Sequence, residues 1–326
     1  QSYLFRVTWY KNRINLEVFH VLTDGMGGVN FMKELVCQYL RLAHPEKFAD
    51  TGNDLLENTS LNTDDDFLNN YDKPAKNSYE RKRAYLIKGG RLPDDGFGVI
   101  RGVMSLSALK AVAKKYGVSI NDYLVGAFAY GIYRGALKGH HTDRSIRVAV
   151  PVNLRPFFDS YTTKNFFAVI SADFLPEKGH MYSFEEVLNI TTKSLRNQLT
   201  KENLMDILSY NVSNQKNIFA RAVPLVIKNI AIKAVYTKSA MANTTTLTNV
   251  GSAVFPKEYE EYISDFFGFL SMSKGQLLKG TVFSYKDNLS FTFSTVYKDT
   301  AVERCFFGVL SSDGLDVTIE TNGVFE

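Results

Sequence analysis

A histidine precedes an Asp-Gly pair by four residues near the start of the chain, at His20, Asp24 and Gly25. A strand-like run ends at residue 19, and apolar residues at helical spacing continue over 29–42. Histidine exchanges protons near neutral pH, and apolar neighbours at the end of a strand would keep it neutral and basic. We therefore consider His20 a candidate general base; an ordinary core histidine beside a turn is the alternative.

The pattern His-x-x-x-Asp-Gly at a strand–loop–helix junction resembles the active-site motif of the coenzyme-A-dependent acyltransferase superfamily. That superfamily includes chloramphenicol acetyltransferase, plant BAHD acyltransferases, alcohol acetyltransferases and the condensation domains of peptide synthetases. The run Val152-Asn153-Leu154-Arg155, followed by Asn165-Phe166-Phe167, is similar to a second segment of the same proteins. The tract 265–269 resembles the BAHD Asp-Phe-Gly-Trp-Gly sequence in part, without its tryptophan.

The resemblance implies a role for each of these residues. His20 would be the general base. Asp24 would pair with Arg155 to hold the motif loop, which is a structural role; the alternative for Arg155 is an ordinary surface arginine. A tetrahedral oxyanion needs hydrogen-bond donors. The candidates are Gly25, Gly27 and Gly28 at the start of the following helix, and Thr248 and Asn249 at the end of a later strand; the sequence does not choose between them.

Strand and helix patterns alternate along the 326 residues, which predicts an α/β protein. The resemblance implies two subdomains like those of chloramphenicol acetyltransferase, with mixed sheets, flanking helices and an active-site tunnel between the subdomains. We place the remainder of the first subdomain, with the motif, at 1–75 and the second at 76–326. Superfamily members usually carry a further stretch before the histidine motif, so we expect this chain to lack part of the first subdomain.

Three patterns predict individual elements. Residues 3–10 and 14–19 predict a hairpin, and 261–272 predict a strand. Residues 218–236 predict a kinked packing helix, with a basic face for a membrane or for coenzyme A phosphates as the alternative.

Composition argues against several other classes of protein. A net charge of +4 is too small to indicate nucleic-acid binding, and 45% hydrophobic residues are typical of a soluble globular protein. Cys37 and Cys305 form no disulfide framework, which favours the cytoplasm. No uncharged apolar stretch is long enough to predict a transmembrane helix. The aspartates at 64–66 and the histidine pair at 140–141 lack further ligands, so no metal site is predicted.

The resemblance implies transfer of an acyl group, acetyl in the alcohol-acetyltransferase branch, from a coenzyme A thioester to an alcohol or amine. No permanently bound cofactor is needed, because acetyl-CoA or another thioester is a substrate. One alternative is a condensation-like domain that uses substrates on an acyl carrier protein. Another is a non-catalytic binding module of the same fold.

Overall fold

The computed structural model describes residues 3–48, 62, 64–71, 74–77, 82–216 and 224–325, and contains a two-stranded and a seven-stranded sheet. The strands are β1 (Phe5–Tyr10), β2 (Arg13–Val18), β3 (Gly98–Ser105), β4 (Ile146–Asn153), β5 (Phe167–Phe174), β6 (Thr245–Ser252), β7 (Leu278–Tyr285), β8 (Asn288–Thr295) and β9 (Thr318–Thr321). The large sheet has the order β5-β4-β6-β7-β8-β3-β9. It is mixed, because β6 lies parallel to both β4 and β7 while the other pairs are antiparallel.

The helices lie between and beside these strands. They are α1 (Gly25–Ala43), α2 (Pro45–Phe48), α3 (Asp66–Asn69), α4 (Leu106–Lys115), α5 (Ile120–Gly131), α6 (Arg155–Phe158), α7 (Phe184–Arg196), α8 (Lys201–Lys216), α9 (Leu225–Ala240), α10 (Lys257–Glu260) and α11 (Ala301–Ser312). None of the helices in the described ranges has the length and hydrophobicity needed to cross a bilayer.

One face of the seven-stranded sheet is apolar and is covered by helices. Phe291 and Phe293 of β8 point into this layer, where their rings contact Phe128 of α5 and Phe306 of α11. Helix α7 covers β5 on the same side. Because strand side chains alternate between faces, the polar residues at intervening positions lie on the opposite face of the sheet.

The predicted hairpin is confirmed: β1 and β2 pair antiparallel from Phe5↔Val18 to Tyr10↔Arg13. Helix α1 packs on one face of the hairpin, where the rings of Phe5 and Phe31 lie 5.6 Å apart. This layer is incompletely covered, since Trp9 on the same face is 81% exposed. A two-stranded sheet alone is at best marginally stable in water.

Two predicted elements differ from the structure. The strand predicted at 261–272 is wrong: a turn at 261–262 follows α10, and 263–272 is irregular chain without strand pairing. Pro224 precedes α9, and the residues before Pro224 in the predicted helix 218–236 lie outside the described ranges. Most apolar side chains of α9, including Leu225 and Ile230, are exposed, so the packing interpretation is wrong for this part. The predicted boundary near residue 75 stays a prediction.

Glu303 provides a pH-dependent contribution to stability. It lies in the first turn of α11, is 2% exposed, and neither carboxylate oxygen has a hydrogen-bond partner within the described residues. Burial raises the pKa of Glu303 from 4.5 to about 7, and the nearby Asp299 acts in the same direction. The folded protein therefore holds this proton more tightly than the unfolded chain, and stability falls as pH rises from about 4.5 to 7.

We expect Glu303→Gln to stabilise the protein at pH 8 by about 3 kcal/mol, since each pKa unit corresponds to about 1.4 kcal/mol. At pH 4 the variant and the parent protein should unfold alike. Urea unfolding at both pH values measures this difference, with Glu185→Gln, an exposed glutamate in the first turn of α7, as the control. Equal stabilisation at both pH values would contradict the titration of Glu303.

Candidate functional site

The motif loop joins the end of β2 to the start of α1 and lies against the segment between β4 and β5. Asp24 is the N-terminal cap of α1 and is buried, with 7% of its surface exposed. Thr23 Oγ1 donates to the carbonyl of Thr163 at 2.6 Å, and Asn165 Nδ2 donates to the carbonyl of His20 at 3.0 Å. Residues more than 130 positions apart in sequence thus hold the loop from both ends.

The Asp24 carboxylate receives four hydrogen bonds. Arg155 Nη1 donates to Oδ2 at 2.8 Å and Nη2 donates to Oδ1 at 3.2 Å. The backbone N–H of Gly27 donates to Oδ1 and that of Phe166 to Oδ2, each at 3.0 Å. Together these bonds join the start of α1 to the segment before β5 and hold the carboxylate in one orientation.

All five N–H donors of the Arg155 guanidinium also have acceptors. Besides the two bonds to Asp24, Nε donates to the carbonyl of Thr162 at 2.8 Å, Nη2 to that of Lys164 at 2.8 Å, and Nη1 to Asn153 Oδ1 at 3.1 Å. The Arg155 and Asp24 side chains are only 12% and 8% exposed. The predicted Asp24–Arg155 pair is therefore present in the structure as a buried bidentate ion pair.

The surroundings of His20 differ from the expectation. The ring lies on an exposed turn after β2, with its centroid 5.7 Å from that of Phe167 at the start of β5. The neighbours Phe19, Val21 and Leu22 are themselves exposed and do not enclose the imidazole. The prediction of an apolar pocket made by these neighbours is wrong for the described residues, because the three side chains are 41% to 64% exposed.

The glycines of the motif lie in the first turn of α1. The N–H of Gly27 is bonded to the Asp24 side chain, and the N–H of Gly28 to the Asp24 carbonyl at 2.9 Å. These two donors are already engaged, which argues against them as oxyanion donors. A Cβ at Gly25 would lie 3.7 Å from Val250 Cγ2, so the end of β6 lies beside the start of α1.

The strand end that carries the other oxyanion candidates is therefore near the motif. Thr248 is partly buried on β6, two residues before Val250, and a β-bulge between Asn249 and Gly251 interrupts the strand there. Asn249 is exposed, and its Oδ1 accepts a hydrogen bond from the N–H of Gly251 at 3.0 Å. Gly25 and Thr248 thus stay candidates for the oxyanion donor, and the amide N–H of Asn249 is available beside them.

Gly27 and Gly28 differ in the space around them, which gives a matched pair of variants. A Cβ at Gly27 would overlap Thr23 Oγ1 and approach the Thr163 carbonyl to 3.0 Å, whereas a Cβ at Gly28 meets nothing within 4 Å. We expect Gly27→Ala to displace the loop and lower activity at least ~10-fold, because small misplacements of catalytic groups are costly. Gly28→Ala should retain activity and slightly stabilise the helix. Steady-state rates and thermal unfolding of the two variants measure the contrast; equal effects would contradict it.

Two of the aspartates considered for metal binding accept hydrogen bonds within the protein. Asp65 caps α3 through the N–H of Leu68, and Asp66 accepts a hydrogen bond from Ser160. His140 and His141 lie on an exposed turn. Over the described ranges, no group of three or more His, Cys, Asp or Glu side chains is placed to hold a metal ion.

The structure adds two positioning residues that the sequence did not identify. Asn165 and Thr23 hold the loop through backbone carbonyls, as described above. Asn165 is the first residue of the run Asn165-Phe166-Phe167. This run resembles a superfamily segment, but the resemblance predicts no role for the asparagine side chain. Its Oδ1 is buried without a partner in the described residues. The hydroxyl of Thr23 carries no sequence signal beyond its proximity to Asp24.

No protein-family model matches the sequence, and no curated protein does. Solved structures do match. Over 93% of this chain and 67% of the other, the fold is similar to that of TRI101 from F. sporotrichioides in complex with coenzyme A and T-2, with a TM-score of 0.59 at 11% identity. Over 94% of this chain and 74% of the other, it is similar to polyketide synthase associated protein 5 from Mycobacterium tuberculosis, with a TM-score of 0.56 at 14% identity.

A third similar structure is the nonribosomal peptide synthetase FmoA3, with a TM-score of 0.57 at 16% identity. The match covers 92% of this chain but only 30% of the synthetase, so the chain spans less than a third of that protein. At these identities the likeness shows a shared fold. The predicted fold class is confirmed: the chain is a mixed α/β protein with a helix-flanked mixed sheet, and its fold is similar to that of these three structures.

Proposed function

We propose that this chain carries the active site of an acyltransferase that moves an acyl group, acetyl in the simplest case, from a coenzyme A thioester to an alcohol. The observation that carries the proposal is the difference in hydrogen bonding between Asp24 and His20 in the motif loop. Asp24 is fully engaged by Arg155 and backbone N–H groups. The His20 ring is exposed and has no hydrogen-bond partner within the described residues, so its nitrogens are open to contact with a substrate.

In this reaction an imidazole nitrogen of His20 accepts the hydroxyl proton as the acceptor oxygen attacks the thioester carbonyl. The new C–O bond gives a tetrahedral oxyanion, which collapses with cleavage of the C–S bond. The departing thiolate takes the proton back from His20, leaving an ester and the free thiol. No covalent enzyme intermediate is needed, and Asp24 and Arg155 hold the loop throughout. The active site would lie where the motif loop meets the ends of β4 and β6, in the tunnel that the resemblance implies.

A coenzyme A thioester as the acyl donor is supported by the similar structure of TRI101, which holds coenzyme A. A second candidate is a condensation-like reaction with a donor on an acyl carrier protein, which the similarity to the peptide synthetase FmoA3 favours. The two candidates differ in the donor and share the same His20 chemistry. Titration with acyl-CoA and with acyl carrier protein separates them.

We also propose that further strands complete the first subdomain. The Phe5, Val7 and Trp9 side chains on β1 are exposed on the face that α1 covers only in part. Each strand of the β1–β2 sheet also has one edge without a pairing partner among the described residues. Exposed edges and apolar faces of this kind are normally covered. Strands added here would also enclose His20, whose neighbours Val21 and Phe19 are exposed in this chain.

The proposed function is tested by thiol release from acetyl-CoA by the full-length protein, with a panel of alcohols and amines. Release that depends on the acceptor supports an acyltransferase that uses coenzyme A. Release only from an acyl carrier protein supports the condensation-like reaction. A folded protein that binds the thioester without releasing thiol from either donor would show a non-catalytic binding module.

A further inference from the structure

Helix α9 exposes apolar side chains along its whole length. Six large ones are between 53% and 70% exposed: Leu225, Ile227, Ile230, Ile232, Val235 and Tyr236. Helix α7 shows the usual arrangement for comparison, since it buries an apolar stripe that includes Val187, Leu188 and Leu195. A contiguous apolar surface on a folded protein normally marks a site of interaction.

The apolar side chains of α9 are distributed around the helix and do not form one stripe. Because successive helical residues are rotated by about 100°, Leu225 and Tyr236 lie on one side, Ile227 and Ile230 on the opposite side, and Val235 between them. A docked protein, or a second copy of this chain, packs against one side of a helix and would leave the other sides in water. A fluid hydrocarbon layer can surround all of them. The distribution therefore favours lipid as the occupant.

The charges on α9 are all positive. Residues 207–257 contain no Asp or Glu, and α9 carries Lys228, Lys233 and Lys238. A spacing of five residues rotates each lysine by about 140° from the one before, so the three ammonium groups do not converge on a single ligand. This argues against a basic face for coenzyme A phosphates. Lysines placed among apolar side chains can instead extend from the hydrocarbon boundary to the headgroups of lipids.

A second group of cations lies at the C-terminal end of α9. The N–H of Ala84 donates to the carbonyl of Met241, the residue after α9, at 3.0 Å. The charged residues that line the groove beside this contact are three cations and one acid: Arg83, Lys88, Arg144 and Asp143. Lys274 is also exposed, and its Nζ donates to Thr237 Oγ1 of α9 at 3.3 Å. The apolar helix and the groove are therefore continuous, and both carry a net positive charge.

We propose that α9 and this groove form a surface that binds anionic lipid bilayers. The 16 residues of α9 span about 24 Å, less than the hydrocarbon core of about 30 Å, so the helix would lie in the interface of one leaflet. Its apolar side chains would enter the acyl-chain boundary, and the cations would contact the headgroups. Helix α9 leads into the start of β6, whereas the motif loop lies beside Val250 near the other end of β6. The proposed active site would therefore lie away from the bilayer.

Vesicle sedimentation with the full-length protein tests the proposal. The probes are phosphatidylcholine vesicles with and without about one third phosphatidylserine. We expect the partition coefficient to be at least ~10-fold higher for the anionic vesicles, because each cation near an anionic surface adds to the attraction. Raising NaCl from ~0.1 to ~1 M should remove most of this difference, since the Debye length falls from about 10 to about 3 Å.

Two pairs of variants, matched in residue type and spacing, locate the binding surface. On α9, Ile230→Ser removes an apolar side chain and Lys233→Gln removes a charge. On α7, Ile190→Ser and Lys193→Gln make the same changes at exposed positions outside the surface. Helix propensity is nearly equal in each exchange. We expect partition onto anionic vesicles to fall about 10-fold in Ile230→Ser and about 5-fold in Lys233→Gln, while both α7 variants bind like the parent protein.

Thermal unfolding and sedimentation equilibrium without lipid distinguish a bilayer from a protein occupant. Because Ile230 is 68% exposed, Ile230→Ser should leave the melting temperature and the oligomeric state unchanged. A marked drop in melting temperature would show that another segment of the full-length protein covers α9, and a dimer that this variant dissociates would show that a second copy does. Either result would overturn the proposal, as would equal partition of the parent protein and both α9 variants. These measurements need no turnover, so they do not depend on the proposed acyl transfer.

Discussion

Replacing His20 by alanine should lower the rate of acyl transfer by roughly two to four orders of magnitude, the usual contribution of a positioned general base. The acceptor hydroxyl is a poor nucleophile until its proton leaves, and no second base is available in the motif loop. The Asp24 carboxylate already receives four hydrogen bonds and is held by Arg155. The effect should appear in kcat, measured as thiol release at saturating donor and acceptor, with KM for the donor nearly unchanged.

His141→Ala is the matched control, because His141 is also exposed but lies on the turn before β4. That variant should retain full activity. Thermal unfolding of both variants checks that neither loses its fold, which is expected since the His20 ring is exposed and has no hydrogen-bond partner within the described residues. A folded His20→Ala protein with near full activity would exclude His20 as the base.

The residues of the candidate site can be picked out from the sequence because they follow local rules. Asp24 caps a helix whose apolar spacing is visible in the sequence, and Arg155 follows a strand that β-branched residues predict. The pairing of the two residues came from resemblance, since nothing local joins positions 131 apart. The hairpin β1–β2 was predicted for the same reason: alternation and turn residues define it within a few positions.

Features that depend on register or on tertiary contacts were not predictable. Thr248, Thr281 and Thr292 lie opposite one another because three strands align, and the sequence contains each strand but not their alignment. The segment 261–272 has a strand-like composition, yet it forms no strand because no neighbour pairs with it. The exposure of His20 was not predictable either, because the sequence shows that its neighbours are apolar but not whether they are buried.

Breaking the Asp24–Arg155 pair should destabilise the protein by roughly 3–5 kcal/mol, since removal of one partner leaves the other charge buried without compensation. We expect this loss for Asp24→Asn and for Arg155→Met in urea unfolding at neutral pH. The double variant should be more stable than the sum of the single losses implies, because residues in one network are coupled by about 1–3 kcal/mol. The Asp24→Asn variant should also lower kcat, because its amide cannot accept all four bonds that hold the loop.

An exposed ion pair in the same chain isolates the contribution of burial. Arg6 Nη2 lies 2.8 Å from Glu17 Oε1, the distance between Arg155 Nη1 and Asp24 Oδ2, but the Arg6 and Glu17 side chains are 68% and 62% exposed. Solvent screens such a pair, so Glu17→Gln should leave the urea midpoint and the rate unchanged. The two pairs share chemistry and contact distance and differ in desolvation. Equal losses from both would mean that the Asp24–Arg155 pair is not what holds the motif loop, and that the backbone bonds from Gly27 and Phe166 suffice.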